Sequence, residues 1–176
     1  MSEEVTLRAV KPADAAALLK LLRQLDQETP FLLADATDLD SSVSAEAAQL
    51  QQLSHTANNL LLVAEFDGQL VGMARVAASL APEIQHIGEV GVAVLHEFWG
   101  YGLGTALLEE VLTWAQANPL IRRLELTVQE RNQRAYQLYQ KLNFQVEGRS
   151  ERGFYDAQDG FQTVIHMARL IDHQSK

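Results

Sequence analysis

The stretch Val92-Ala93-Val94-Leu95-His96-Glu97-Phe98-Trp99-Gly100-Tyr101-Gly102-Leu103-Gly104-Thr105-Ala106-Leu107 decides the reading of this chain. It joins Val90 to Val94, apolar on both faces like a central strand, to a segment with Leu103, Leu107, Val111 and Trp114 on one helical stripe. Between them glycines stand at the alternate positions 100, 102 and 104. Alternate glycines at a strand-to-helix turn leave backbone N–H groups unobstructed where the helix dipole is positive, a geometry that holds phosphate or pyrophosphate. A single glycine is enough to turn a chain, so packing alone is a weak account of three.

Spacing demotes two nucleotide-binding readings. A P-loop ends in Gly-Lys-Ser/Thr, whereas Gly104 is followed by Thr105 with no lysine near. A dinucleotide fingerprint runs G-x-G-x-x-G directly after the strand and has an acid closing the next strand. Here the glycines run G-x-G-x-G after an extension, and Glu125 sits inside its strand.

Outward from the turn, the expected elements alternate between sheet and helix. Val5–Arg8 reads as an edge strand, and Pro12 and Asp14 open a helix carrying Leu18, Leu21, Leu22 and Leu25 at i, i+3, i+4 and i+7. Residues 28–42 read as a loop; Ser44 then starts a second helix with Ala47, Leu50 and Leu53, ending near Asn58-Asn59. Leu60–Glu65 and Gln69–Ala78 flank Asp67-Gly68, the dipeptide of a two-residue hairpin turn. A long strand is expected over Ile84–Val94, and Asn118-Pro119 ends the helix after the glycine turn. Leu124–Val128 alternates as a strand, and Asn132 caps a helix bearing Ala135, Leu138, Tyr139 and Leu142, closed by Asn143 in a left-handed conformation. Phe144–Gly148 and Phe161–Leu170 are the last strands, with a polar loop over Ser150–Gly160.

Composition bounds the function. The 176 residues carry 14 Lys+Arg against 23 Asp+Glu, a net charge of -9, with 47% hydrophobic residues and no cysteine. Length and hydrophobic content suit one domain over residues 1–176. The acidic balance argues against phosphate-backbone binding of nucleic acid. Without cysteine there is no disulfide, no thiolate metal site and no thiol nucleophile in the chain. The acidic start and the lack of a long apolar run suggest a cytoplasmic protein with no membrane span. The histidines show no metal-ligand spacing, so no metal is expected.

Two motifs, taken together, resemble the GNAT superfamily of N-acetyltransferases. Its signature Q/R-x-x-G-x-G/A corresponds to the window Trp99-Gly100-Tyr101-Gly102-Leu103-Gly104, in which Trp99 stands where the superfamily has Arg or Gln. Asn132-Gln133-Arg134-Ala135-Tyr136-Gln137-Leu138-Tyr139-Gln140-Lys141-Leu142-Asn143-Phe144 resembles N-x-x-A-x-x-L-Y-x-K-x-G-F, with Asn143 for the glycine. The tail from Gly148 onward is most similar to the bacterial branch that acetylates amino acids and related small amines.

The resemblance implies an α/β (α+β) fold: a mixed, mostly antiparallel sheet with a splayed parallel pair of central strands, flanked by helices. It implies acetyl-CoA as co-substrate in the gap between Ile84–Val94 and Leu124–Val128. Val92, Ala93 and Val94 would line the pantetheine, with Val92 and Val94 offering backbone groups. Trp99, Gly100, Tyr101, Gly102, Leu103, Gly104 and Thr105 would surround the pyrophosphate, and Asn132, Ala135 and Tyr139 would complete the cofactor site. Asn132 is also read as a helix cap alone. Tyr139 would be the general acid facing the sulfur, or else a core aromatic at helical spacing. Glu89 would be the base or substrate anchor, or else the partner of an arginine on a neighbouring strand, with His86 the alternative base.

The implied reaction is direct transfer of acetyl from acetyl-CoA to a primary amine of an amino acid or polyamine-like molecule. That acceptor would be held by residues 28–40 and by Tyr155, Asp156 and Asp159. A peptide or ribosomal-protein N-terminal acetyltransferase and a non-catalytic acyl-CoA sensor are the other readings, and a homodimer is compatible with the fold.

Overall fold

The computed structural model describes residues 4–31 and 41–173, so residues 32–40 of the expected 28–42 loop and of the acceptor loop lie outside the described residues. The first strand, β1 (Thr6–Ala9), leads through a 3-10 turn at Pro12–Asp14 into α1 (Ala15–Glu28). Leu18, Leu21 and Leu25 are almost fully buried on one stripe of α1, as their spacing predicts, and each contributes about 1.5–3 kcal/mol by leaving water. The next helix, α2 (Val43–Ser54), starts and stops earlier than expected. Ser42, not Ser44, is the cap: its backbone is extended and its hydroxyl accepts the Ala45 N–H at 3.2 Å. Both serines suit the position, and the one whose own backbone is extended takes it.

The hairpin β2 (Leu60–Phe66) and β3 (Gln69–Ala78) turns at Asp67 and Gly68, with φ of 48° and 74°. Positive φ at both central residues matches the right-handed twist of the flanking strands. The following strand, β4 (Ile87–Val94), begins three residues later than Ile84. Ile84 and Gln85 donate instead to the Ala81 carbonyl at 3.0 and 2.8 Å. Buried Asn58 fixes this turn, its amide donating to the carbonyls of Ser79 at 2.8 Å and Gln85 at 3.0 Å. His86 therefore lies before the strand.

The glycine turn leads into α3 (Leu103–Ala117), which buries Leu103, Leu107 and Val111, while Trp114 is only half-buried. It ends where expected: Asn118, ahead of Pro119, is extended. Beyond β5 (Arg123–Gln129), Asn132 caps α4 (Gln133–Lys141) by accepting the Ala135 N–H at 3.2 Å, and Asn143 closes it at φ 63°.

The last two strands, β6 (Gln145–Asp156) and β7 (Gly160–Leu170), form a longer hairpin than the sequence suggests. Most of Ser150–Gly160, read as loop, is paired strand, as in Phe154 with Gln162 and Tyr155 with Phe161. The cause is an irregularity between Ser150 and Phe154, with Arg152 at φ 55°, which absorbs extra residues and breaks the alternation that marks a strand.

The strands form one sheet in the order β1-β2-β3-β4-β5-β7-β6. Among the described residues its one parallel pair is β4–β5, which matches the expected mixed fold. This pair is in register only from Ile87 with Arg123 to Glu89 with Glu125. Beyond it, β4 stays paired with β3 as far as Val94, and β5 stays paired with β7 as far as Gln129. Each strand follows its outer partner, and the two halves of the sheet diverge into a V-shaped gap.

Candidate active site

The gap opens into a cavity of about 1190 Å³ that runs from the glycine turn, along β4 and α4, to α1 and α2. Its walls include Glu89, Val92, Ala93, Val94, Trp99, Gly100, Gly102, Leu103, Gly104, Thr105, Asn132, Ala135 and Tyr139. Tyr101, also expected there, is absent from the lining and largely exposed.

Strand β4 presents its backbone to the gap. The Leu95 N–H donates to Val71 at 2.9 Å, so by antiparallel alternation odd-numbered residues of β4 bond to β3. Past the short pairing with β5, the N–H and C=O groups of Val92 and the N–H of Val94 thus face the gap, a ready edge for an extended amide-bearing chain.

At the wide end lies the turn. Gly100 and Gly102 have φ of 87° and 78°, and a Cβ on either would meet nothing within 4 Å. Backbone conformation, rather than packing, therefore requires glycine there. Gly102 is the cap residue of α3 and no side chain caps that helix. The first helical bond is Ala106 N–H to Gly102 at 2.9 Å, so the N–H groups of Leu103, Gly104 and Thr105 are unpaired among the described residues. A cradle of free N–H groups at a helix start, continuous with an unpaired strand edge, fits the diphosphate and pantetheine of a coenzyme A thioester.

Trp99, standing where Arg or Gln was expected, takes a different part. Its indole N–H donates to the Val94 carbonyl at 2.7 Å, clamping the turn to the end of β4. The Arg134 guanidinium lies 4.2 Å over its ring. A cation thus reaches this end of the cavity from α4 instead of from the turn. Sequence reasoning missed Arg134, although its place two residues after the cap Asn132 puts it on the first turn of α4, beside the cradle.

Tyr139 is buried against Phe144, ring centroids 5.8 Å apart. Its hydroxyl has no hydrogen-bond partner among the described residues, yet no fully enclosed side-chain polar atom lacks one, so the hydroxyl reaches the cavity. The ring belongs to the core, and the oxygen is presented to the cavity. Burial pushes the phenol up to about 12, which keeps it protonated and able to donate.

Glu89 lines the cavity without an ion pair among the described residues. One arginine on a neighbouring strand, Arg123 on β5, binds Glu125 at 2.8 Å and Glu147 instead. His86 is absent from the lining, and its carbonyl accepts the N–H groups of Arg122 and Arg123 at the closed end of the strand pair.

Arg131 takes two of the acids expected to hold the acceptor. Its guanidinium binds Asp156 and Asp159, each at 2.6 Å, donates to Gln129 at 2.9 Å and lies 5.4 Å from the Phe31 ring. Held by Arg131, the Asp156 carboxyl lies below the usual carboxylate range. The two carboxylates are thus occupied in tying the hairpin tip to residues 129–131. Tyr155 packs on Phe161 outside the cavity, and Glu28, at the end of α1, accepts the His96 N–H at 2.8 Å. Among the described residues no helix is long and apolar enough to cross a membrane, and no cluster of three metal-ligating side chains occurs.

Comparison with known proteins agrees with this geometry. The acetyltransferase (GNAT) family matches over residues 19–144. The crystal structure of a GNAT-family acetyltransferase from Streptococcus pneumoniae is 36% identical, with 96% of this chain and 100% of that one covered at a TM-score of 0.91. An L-amino acid N-acetyltransferase, AaaT, of Escherichia coli is 29% identical over 62% of this chain and 67% of its own. The fold is shared with yncA of Salmonella typhimurium, solved with its cofactor acetyl-CoA, at 19% identity and a TM-score of 0.83, covering 98% and 97%. Other matches are named for spermidine and for ribosomal-protein-S5 alanine, so the acceptor is best read from the site. By its family match and its strongly similar structural neighbour, the chain belongs to the acetyltransferase (GNAT) family.

Proposed function

We propose that this acetyltransferase moves the acetyl group of acetyl-CoA directly to the primary amine of a small molecule. The observation that carries this reading is the free edge of β4 leading from the open glycine cradle to unpaired Glu89, with the Tyr139 hydroxyl on the opposite wall. When bound, acetyl-CoA supplies an activated carbonyl and a sulfur leaving group. The N–H groups of the turn hold its diphosphate, and the backbone of Val92 and Val94 aligns its pantetheine arm. Glu89, directly or through water, accepts a proton from the ammonium, which at neutral pH is the dominant form of an amine with a pKa of about 10. As the N–C bond forms the C–S bond breaks; of the two protons that nitrogen loses, one ends on the thiol and one in solvent. Tyr139 donates a hydrogen bond to the departing sulfur. The chain has no cysteine to carry an acyl intermediate.

Calorimetric titration with acetyl-CoA followed by an amine panel with thiol detection tests this. Binding and amine-dependent thiol release are expected. Absence of acetyl-CoA binding overturns the reading, and binding without release for any amine points to an acyl-CoA sensor.

Arg134 provides a second check. Its charge beside the cradle supports the diphosphate, so Arg134→Ala is expected to weaken acetyl-CoA binding about tenfold or more, the value of a charged hydrogen bond, with kcat little changed. An unchanged Kd by calorimetry would confine Arg134 to stacking on Trp99.

A further inference from the structure

We propose that the acceptor is an α-amino acid, held by its carboxylate on Arg75 and by its ammonium on Glu89; this rests on the transfer reaction above and names its substrate class. Arg75 lies on β3 directly opposite Gly91 of β4, and Glu89 lies opposite Ala77, two residues along the same face. Gly91 has no side chain to stop the arginine, whose stem lies across the strand: a Cβ on Gly91 would sit 3.8 Å from Cγ and 4.0 Å from Nε of Arg75. Both charged residues line the cavity.

Arg75 makes no hydrogen bond or ion pair among the described residues. Arg8, Arg123, Arg131 and Arg149, by contrast, are each paired with carboxylates. Diagonal neighbours on adjacent strands lie about 7–8 Å apart, within reach of long side chains, so Arg75 and Glu89 could meet but do not. An opposite pair held apart on one wall is a slot for a ligand carrying both charges at short spacing. An α-amino acid has its ammonium and carboxylate on one carbon.

A polyamine would set a second cation against Arg75, and Asp156 and Asp159, two acids expected to draw it, are bound to Arg131. Around the pair the wall includes Leu22, Leu53, Leu61 and Met73, which suits an apolar side chain on the amino acid.

Removing only the carboxylate from the acceptor tests the assignment. The kinetics of L-leucine, L-methionine and L-phenylalanine are compared, by thiol release, with those of the amines left when each is decarboxylated, and with spermidine. The protein is expected to favour at least one amino acid over its amine by about a hundredfold or more in kcat/KM, up to the roughly 10⁴-fold by which a site built for a polar group rejects a ligand lacking it. Arg75→Ala is expected to collapse that ratio about thirtyfold or more, mainly through KM, and Arg75→Lys to restore part of it. A ratio near one, faster turnover of spermidine, or an Arg75→Ala ratio equal to that of the parent overturns the proposal. Turnover confined to amines without a carboxylate overturns it while leaving the transferase reading intact, whereas failure to bind acetyl-CoA sinks both. Should the variants not fold, the ratio for the unmodified protein decides alone.

Discussion

Tyr139→Phe is expected to lower kcat by about a hundredfold to a thousandfold, the usual loss when one donor to a developing negative charge is removed. The Kd for acetyl-CoA should stay within about twofold, because the ring that lines the site and packs on Phe144 is retained. With its pKa pushed up to about 12, the phenol stays protonated throughout the working range. Against a thiol near 8.5 the gap opposes complete proton transfer by about 5 kcal/mol, so the role expected of Tyr139 is that of a hydrogen-bond donor to the leaving sulfur. No fall in kcat traceable to this phenol is expected below about pH 11.

The same variant has a stability signature. An unfolded chain releases the phenolic proton near pH 10, whereas the folded chain holds it to about 12, so rising pH favours unfolding across that window. The unmodified protein should lose about 3 kcal/mol across the whole window relative to Tyr139→Phe, about 1.4 kcal/mol of it by pH 11, and nothing below pH 9. Denaturant melts of the two proteins at pH 8 and pH 11 measure the difference. Equal turnover of the two proteins would reject the donor role; equal alkaline melts would mean that the phenol is hydrated.

Gly102→Val is expected to abolish useful cofactor binding, raising the Kd for acetyl-CoA by about a hundredfold or more, against a strain of about 1–3 kcal/mol for a side chain in a left-handed conformation. At φ 78° a β-branched residue is poorly accommodated, and its Cβ would enter open space beside the free N–H groups. Relief of the strain would turn those N–H groups away from the ligand. Gly68→Val separates strain from site: Gly68 has φ 74° and the same open surroundings, but lies in the β2–β3 turn. Both variants should lose similar stability by thermal melt, and only Gly102→Val should lose the cofactor. Parallel loss of binding in both would assign the effect to general unfolding.

Features written in one to four adjacent residues were legible in the chain. Asp67-Gly68 adopts the expected hairpin angles, Asn143 the left-handed closure, and Asn132 the cap, each set by local sterics or by one hydrogen bond. Features that depend on distant partners were not. Asn58 holds the turn that delays β4 through a bond spanning 27 positions. That turn removes His86 from the strand.

At the site the division is similar. Glycine spacing, the Asn132–Phe144 motif and the absence of cysteine are properties of the string of residues, and the resemblance to the GNAT superfamily that the two motifs carry implied the fold class, the acetyl-transfer chemistry and the candidates Tyr139 and Glu89. Which charges remain free is not such a property, because an ion pair depends on what folding brings within 4 Å. Arg131 reaches Asp156, 25 positions away, and Arg123 reaches Glu147, 24 positions away. Those pairings occupy Asp156, which the sequence offered to an amine, and keep Arg123 from Glu89, while Arg75 stays unpaired on the cavity wall among the described residues. The chain by itself pointed to the reaction class through motifs that resemble the GNAT superfamily; only the tertiary structure decided which charged side chains stay unpaired on the cavity wall among the described residues, because that depends on what folding brings together.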